Sequence, residues 1–502
     1  MLDTFLEHTI QKKLQFYHIL QESKFIEIKE ICQTLHMDIT GINCLIDECN
    51  QNFDGLAIIK KTHHIVSLCV SEDINMLKLL HGIYTDSDIL RCLKFLITND
   101  TQQPFSTFID ENFLSKSTAY RIRKNCQTYL QNIGLEIENN KVVGEEYRIR
   151  FLIALLHYRY GISCYEIDEA SIQLARNFIL RTNDVIDLNF LEKTVNEYGY
   201  FECLLILSWK RKSYPLSFQK QNHLQSLKKL FVYDAIKKHL KETVEATKNF
   251  TFSEDDYDYI FLAYCCTNSC VLADKWTEAD IQLVHQIIFG HPTFANLIQK
   301  FETKFSISVK NNYAIQAAFI YFAKKFIFEL QGIIPDKHFY LDSKKNQTTL
   351  KIVQYVTEIL DTWHHENALQ YPIDNNHIHC LSIQLEAILR QFVKPVHIIL
   401  ISDLTMELEI MKLTLGRQFS SQQICITQFL LNAKKMDFLY NLKDCVILVN
   451  HRLGNFINQL SLSKQNIVVS ATVELNAYDI KAIQNAIKYY REESFLKTID
   501  KL

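Results

Sequence analysis

The chain has 502 residues, of which 48% are hydrophobic and 22% charged, an ordinary globular composition that excludes a disordered chain. Its 54 Lys and Arg residues against 57 Asp and Glu residues give a net charge of −3, which excludes nucleic-acid binding through an overall basic surface. Only 11 Gly and 6 Pro residues are present, so the sequence predicts a mainly helical, multidomain protein. Neither G-x-G nor G-x-x-x-x-G-K occurs, which excludes phosphate-binding loops of these standard forms.

The cysteines and the apolar runs indicate the cellular compartment of the protein. The 14 cysteines are scattered through apolar stretches without a C-x-x-C pair, a distribution typical of buried thiols. No apolar run approaches the roughly 18 residues that cross a bilayer. The start of the chain is acidic and has no signal-peptide pattern. We therefore expect a cytoplasmic protein with no metal, no cofactor and no membrane contact.

Residues 1–72 have the parts of a winged helix-turn-helix. Apolar residues recur at helical spacing in three short segments, 12–22, 26–36 and 40–50. Two alternating runs, 56–59 and 65–70, then predict a β-hairpin whose tip is Lys60-Lys61-Thr62-His63.

The third of these helices is poorly suited to DNA. Thr40 is expected to cap it, and it presents Asp47 and Glu48 outward with no basic residue. Phosphates would repel both carboxylates, although Lys60 and Lys61 of the hairpin would still be able to contact a DNA backbone. A small packing or dimerisation domain is the alternative for this module.

A second helix-turn-helix is predicted over residues 73–162. One helix is expected over 84–97 and a short one over 105–111, followed by a longer helix. The run from Leu135 to Val143, with Asn-Asn at its centre, then predicts a hairpin wing. Residues 146–161 predict the last helix of this module.

The longer helix, between a capping Ser115 and a terminating Gly134, has the side chains of a recognition helix. Its apolar side consists of Ala119, Ile122, Cys126, Leu130 and Ile133. From Phe113 to Gln131 there are four basic residues and no acidic one. Hydroxyl groups suit phosphates, while Arg, Lys and Asn reach base edges in a major groove. The predicted DNA contacts, with the hairpin lysines added, are Ser115, Lys116, Ser117, Thr118, Tyr120, Arg121, Lys124, Asn125, Lys60 and Lys61.

In the rest of the chain, the predicted secondary structure changes once, from helical to mixed helix and strand. Helical periodicity continues to about residue 393, and the Gly290-His291-Pro292 break divides this region into two bundles, 163–281 and 282–393. After Pro395, four short β-rich runs alternate with helical segments: 396–401, 423–427, 446–450 and 467–470. This alternation predicts a small α/β domain with a parallel sheet over residues 394–502.

The second module resembles a known family. The segments 113–122 and 143–150, with the wing between them, look like the second helix-turn-helix of the Mga/AtxA virulence regulators of low-GC Gram-positive bacteria. In that family a Ser/Thr-rich recognition helix is followed by a wing, a Gly-Glu pair and an Ile-Arg pair, here Gly144-Glu145 and Ile149-Arg150. The order of parts is also similar. The family has two helix-turn-helix modules, two helical domains resembling phosphotransferase-system regulation domains (PRDs) and a domain similar to the EIIB component.

The resemblance implies a DNA-binding transcriptional regulator, usually an activator, of virulence or carbohydrate-linked genes. It implies double-stranded promoter DNA as a partner, a homodimer or higher oligomer formed through the C-terminal parts, and HPr or EII proteins that phosphorylate a histidine. The candidate phosphorylation sites are His223 in the first bundle and His379 in the second, with His377 as a rival. The added charge would bias dimerisation.

The C-terminal domain departs from the EIIB enzymes that it resembles. Those enzymes carry a phosphorylatable Cys just after the first strand, where this chain has Ser402-Asp403-Leu404. A Ser hydroxyl is a much weaker nucleophile than a thiolate. The sequence therefore predicts a structural or dimerisation role for this domain and no enzymatic activity.

Three other functions compete with this interpretation. An RNA-binding antiterminator with PRDs would begin with a small β-rich domain, whereas this chain opens with helices. An enzyme of the phosphotransferase system would need the missing nucleophile. A helical scaffold, whose helix-turn-helix modules contact only proteins, is favoured by the acidic third helix.

Overall fold

A computed structural model describes residues 2–23, 25–71, 74–183, 195–218, 222–267, 275–309, 312–326, 328–335, 347–431, 436–460, 462 and 464–500. Within these ranges the protein is mainly helical and carries a four-stranded parallel sheet near its C-terminus, which confirms the predicted fold class. The chain divides into two compact units. The first comprises Met1–Lys300, Gln316–Lys344 and Thr357–Leu381, and the second Phe301–Ile315, Lys345–Val356 and Ser382–Leu502.

The first module contains three helices and an antiparallel sheet. The helices are α1 (His8–Glu22), α2 (Ile28–Leu35) and α3 (Ile39–Asn52), as the apolar spacing predicted. The strands are β1 (Ile26–Glu27), β2 (Ala57–Thr62) and β3 (Ile65–Val70), in the order β1-β3-β2. Asp38, and not Thr40, caps α3, because the Asp38 carboxylate accepts a hydrogen bond of 2.8 Å from the amide of Gly41.

The hairpin of this module has a shorter turn than the predicted tip of residues 60–63. Lys60 and Lys61 lie within β2, where they pair with Ser67 and Val66 of β3. The turn consists of His63 and His64, and His63, the last residue of the predicted tip, has a φ of 58°. The predicted lysine tip was therefore wrong, because backbone pairing continues to the end of β2 and carries both lysines along the strand.

The second module has five helices and a hairpin. The helices are α4 (Met76–Tyr84), α5 (Asp88–Thr98), α6 (Phe105–Glu111), α7 (Lys116–Gln131) and α8 (Glu146–Tyr160). The hairpin, between α7 and α8, consists of β4 (Leu135–Glu138) and β5 (Lys141–Gly144). The sequence predicted one helix over 84–97, but α5 begins only at Asp88, because the Ser87 hydroxyl caps it by accepting from the Leu90 amide. Helix α4, which precedes this cap, was not predicted.

Over its described residues, the region that follows consists of helices joined by turns and loops. Its α-helices are Glu169–Thr182, Val195–Lys210, Asn222–Leu227, Phe231–Leu240, Ala246–Lys248, Glu254–Cys266, Glu278–Phe289, Pro292–Phe305, Tyr313–Phe326, Gln347–Glu366 and Asn375–Leu389. A π-helical turn, Lys241–Glu245, links two of them. The predicted break at Gly290 separates two helices, whereas the division into bundles at 281 stays a prediction.

The C-terminal domain is an α/β fold. Its parallel strands are β6 (Val396–Ser402), β7 (Ile424–Leu430), β8 (Val446–Asn450) and β9 (Ile467–Ala471), in the order β7-β6-β8-β9. Its helices are Thr405–Gln418, Met436–Tyr440, His451–Gln459 and Ala477–Ile499. Alternate residues of β6 join two apolar clusters: Ile398 and Leu400 belong to one, and Ile399 and Ile401 to the other. Both faces of the sheet are therefore buried, which explains the continuous apolar runs of its strands.

Candidate nucleic-acid interface

Helices α6 and α7 form the helix-turn-helix of the second module. The Ser115 hydroxyl accepts a hydrogen bond of 3.2 Å from the Thr118 amide and so caps α7, as predicted. The apolar side of α7 faces the core of the module, where α7 packs against α5. All five residues of the predicted apolar stripe are buried: Ala119, Ile122, Cys126, Leu130 and Ile133.

The opposite side of α7 carries the predicted DNA contacts. The exposed ones are Ser115, Lys116, Ser117, Tyr120, Arg121 and Lys124, and the half-buried ones are Thr118 and Asn125. Tyr120 is 56% exposed, and its ring centroid lies 5.7 Å from that of Phe105 in α6. Arg123, which the sequence did not single out, is half-buried with its guanidinium 5.3 Å from the same Phe105 ring. Helix α6 therefore holds two side chains of α7 in place beside the exposed basic face.

The wing of this module is acidic. Asn139 and Asn140 have φ values of 48° and 58°, as a two-residue hairpin turn requires, and this confirms the predicted Asn-Asn turn. Glu136 and Glu138 of β4 are exposed. Lys141 of β5 forms an ion pair of 2.6 Å with Asp100. The wing therefore offers little to a phosphate, and the basic surface of the module is that of α7.

The first module places its lysines differently from α7. Lys60 is exposed on β2, and the ammonium of Lys61 donates a hydrogen bond of 2.8 Å to the side-chain oxygen of Asn43 in α3. On the same helix, Glu48 forms an ion pair of 3.1 Å with Lys13, which also pairs with Asp86 at 2.9 Å. Glu48 of the acidic third helix is thus engaged in the packing of the module.

The arginines of α8 point into the protein, where carboxylates neutralise them. Arg148 pairs with Glu145 at 2.8 Å, and Arg159 pairs with Asp3 at 2.6 Å. Arg150 is fully buried and pairs with Glu146 at 2.9 Å. These three cations hold the module together and are not available to DNA.

The candidate phosphorylation sites differ in accessibility. His377 is 1% exposed, its Nε2 lies 2.6 Å from the carbonyl oxygen of Gln331, and burial holds its pKa well below the usual range. His379, on the same helix, Asn375–Leu389, is half-buried. His223 lies in the helix Asn222–Leu227, and its side chain falls outside the described residues. His379 is therefore more accessible than His377.

The loop after β6 uses its Ser residue for structure. The buried Ser402 hydroxyl donates a hydrogen bond of 2.6 Å to the carboxylate of Glu407 and accepts one from the Leu404 amide. Asp403 forms an ion pair of 2.5 Å with Arg452. Because the Ser402 oxygen is shielded and already bonded, this loop is unsuited to phosphoryl transfer.

Comparison with known proteins identifies the second module. Residues 72–157 match the family model of the Mga helix-turn-helix domain. The second module is therefore similar to the Mga helix-turn-helix domain. The match spans α4 to α7, the wing and most of α8, and it confirms the resemblance drawn from the recognition helix. No curated protein matches the chain.

The Mga helix-turn-helix domain supports a DNA-binding transcription regulator. Over the described ranges, no group of three or more His, Cys, Asp or Glu side chains is arranged to hold a metal ion. None of the helices described here is long and apolar enough to cross a membrane.

Proposed function

We propose that the chain regulates transcription by binding promoter DNA, with α7 of the Mga helix-turn-helix domain as its reader. The observation that carries this proposal is the exposed face of α7, where Lys116, Arg121 and Lys124 stand beside a capped helix N-terminus. A recognition helix enters the major groove with its N-terminal residues at the base edges. Helix α7 itself carries no acidic side chain that would repel the DNA backbone.

The proposal predicts separate effects for two cations of α7. If Arg121 contacts a base, Arg121→Ala weakens DNA binding by about 1–3 kcal/mol and relaxes sequence preference at one position. If Lys124 contacts only phosphate, Lys124→Ala lowers the slope of log K against log salt by about one unit and leaves sequence preference unchanged.

The measurement is a mobility-shift titration of the full chain at two salt concentrations. The duplexes come from upstream of its own gene and from a random pool enriched by the native chain. Lys412→Ala, which removes an exposed lysine from the C-terminal α/β domain, is the matched control and is expected to bind as the native chain does. Native binding by both α7 variants would rule out α7 as the reader.

We also propose that the chain acts as an activator and as a homodimer or higher oligomer, on virulence or carbohydrate-linked genes. In this proposal the helical region serves as PRD-like domains that accept a phosphoryl group from HPr or EII proteins, and the C-terminal EIIB-like domain serves assembly. The half-buried His379 and the engaged hydroxyl of Ser402 support this division of roles.

One set of contacts supports regulation through the helical region. The Tyr129 hydroxyl, near the end of α7, donates a hydrogen bond of 3.3 Å to the carbonyl oxygen of Gly332. The adjacent carbonyl, that of Gln331, lies against the ring of His377. Displacement of segment 328–335 would therefore disturb a hydrogen bond of the recognition helix α7.

A further inference from the structure

The turn between α6 and α7 contains a residue that its local geometry disfavours. The amide of Phe113 donates to the carbonyl of Asp110, and the amide of Leu114 donates to the carbonyl of Ile109. This pair of hydrogen bonds is the Schellman ending of a helix, which places the residue after the cap in the left-handed region. Phe113 occupies that position with φ of 52°, where glycine is usual.

Over the described residues, the Phe113 side chain packs against almost nothing. It is 96% exposed, the highest value among the exposed large hydrophobic residues of the described ranges. A bulky residue with positive φ is an outlier, and such outliers cluster at functional sites. The packing of the described residues therefore gives no reason for an aromatic ring at this position.

The surroundings of Phe113 point to DNA as its contact. It lies two residues before the cap of α7, at the end of the recognition helix that approaches base edges. Asp110 and Glu111, which end α6, are exposed and disfavour a phosphate at this place. An uncharged ring is free of that repulsion, and its chemistry suits the 5-methyl group that thymine presents in the major groove.

We propose that Phe113 is a specificity-determining residue whose ring packs against a thymine methyl group at the edge of the sequence read by α7. This inference rests on the proposed DNA-binding function and adds one element to it. Arg and Lys of α7 supply hydrogen bonds and charge, whereas Phe113 supplies apolar contact to one base. The left-handed backbone holds the ring outward, away from the core of the module.

The test uses the full chain and one duplex selected by it from a random pool. Each thymine of the duplex is replaced in turn by deoxyuridine, which removes only the methyl group. The native chain is expected to lose roughly three- to tenfold in affinity at one position, the order expected for loss of a single buried methyl contact. Phe113→Ala and Phe113→Gly are expected to bind the thymine duplex correspondingly weakly and to be indifferent to the replacement.

Two controls separate the contact from folding. Phe113→Gly suits a positive φ, so its unfolding midpoint is expected to equal or exceed that of the native chain. Tyr478→Ala removes another exposed aromatic ring, 86% exposed in the C-terminal α/β domain, and is expected to bind DNA as the native chain does.

Other outcomes overturn the proposal at different levels. A deoxyuridine effect that persists in Phe113→Ala would show that another residue contacts the methyl group. Native DNA binding by both Phe113 variants, with loss of transcription by RNA polymerase in vitro, would assign the ring to a protein partner. Failure of the native chain to select any duplex would defeat the proposed function itself, whereas failure of the Phe113 variants to differ from it would defeat only this inference.

Discussion

At the scale of single residues, two charged side chains of segment 143–150, Glu146 and Arg150, serve the structure. The carboxylate of Glu146 accepts hydrogen bonds from Arg150 at 2.9 Å and from Arg211 at 2.7 Å, and all three side chains are buried. Arg211 precedes Tyr214, whose carbonyl accepts from Arg150. The cluster thus joins α8 of the DNA-binding module to the helical region that follows.

Removing the carboxylate of this cluster should lower the free energy of unfolding strongly. Glu146→Gln leaves the two buried guanidinium groups without their carboxylate, and uncompensated buried charges cost about 3–5 kcal/mol. We expect a large drop of the unfolding midpoint in urea, followed by circular dichroism. Glu138→Gln, an exposed change in the wing, should alter the free energy of unfolding by less than about 0.5 kcal/mol. Equal midpoints for the two variants would contradict the structural role given to Glu146.

At the scale of elements, the start of α7 serves both folding and DNA binding. Ser115→Ala removes the cap and should cost roughly 0.5–2 kcal/mol of stability. Ser115→Asp keeps a capping oxygen, and its negative charge interacts favourably with the helix dipole, so stability should be retained. The same charge lies where DNA phosphates approach, so DNA binding should weaken. Thermal unfolding and mobility shifts of the two variants should therefore distinguish the two roles of Ser115. We expect Ser115→Asp to unfold at the native temperature but to bind DNA weakly. An Asp variant that binds as the native chain does would place phosphates elsewhere.

The elements that the sequence predicted best are those governed by local chemistry. The apolar stripe of α7, its Ser115 cap and the Asn-Asn turn depend on neighbours in the chain, so their pattern was sufficient. Lys60 and Lys61 were wrongly placed in the turn of the first hairpin, because the pairing of β2 with β3 decides where the chain turns. The arginines of α8 could not be assigned either, because their carboxylate partners include Asp3, which is distant in sequence.

The sequence did not identify Phe113 as part of the site, because its role depends on both local backbone geometry and tertiary packing. Its sequence neighbours resemble any turn between two helices, and the left-handed φ became visible only with the hydrogen bonds that end α6. Its exposure depends on how α6 and α7 pack on the rest of the module. Spacing alone could therefore identify the recognition helix but not the ring at its edge.

At the scale of the first compact unit, several histidines are held neutral by their surroundings. Burial lowers the pKa of His18 to about 4, and it also lowers the pKa values of His81, His157 and His377. The charged groups that face His18 are Arg159, which lowers its pKa further, and Asp3, which raises it. Because each pKa is lower in the folded chain than in the unfolded one, the unfolded chain takes up more protons as the pH falls.

This linkage fixes the sign of the pH dependence. The contribution of these histidines is complete above about pH 6.5, their unfolded pKa, and for His18 it is lost progressively as the pH falls toward about 4. We expect urea midpoints of the native chain to fall between pH 7.5 and pH 4.5. His18→Gln cannot take up that proton, so its free energy of unfolding should fall less than that of the native chain, by roughly 1–3 kcal/mol over the interval. His8→Gln, which alters an exposed histidine at the start of α1, is the matched control and should keep the native slope. If His18→Gln followed the native slope as well, the acid sensitivity of this unit would have to come from its carboxylate pairs, such as Lys13 with Asp86.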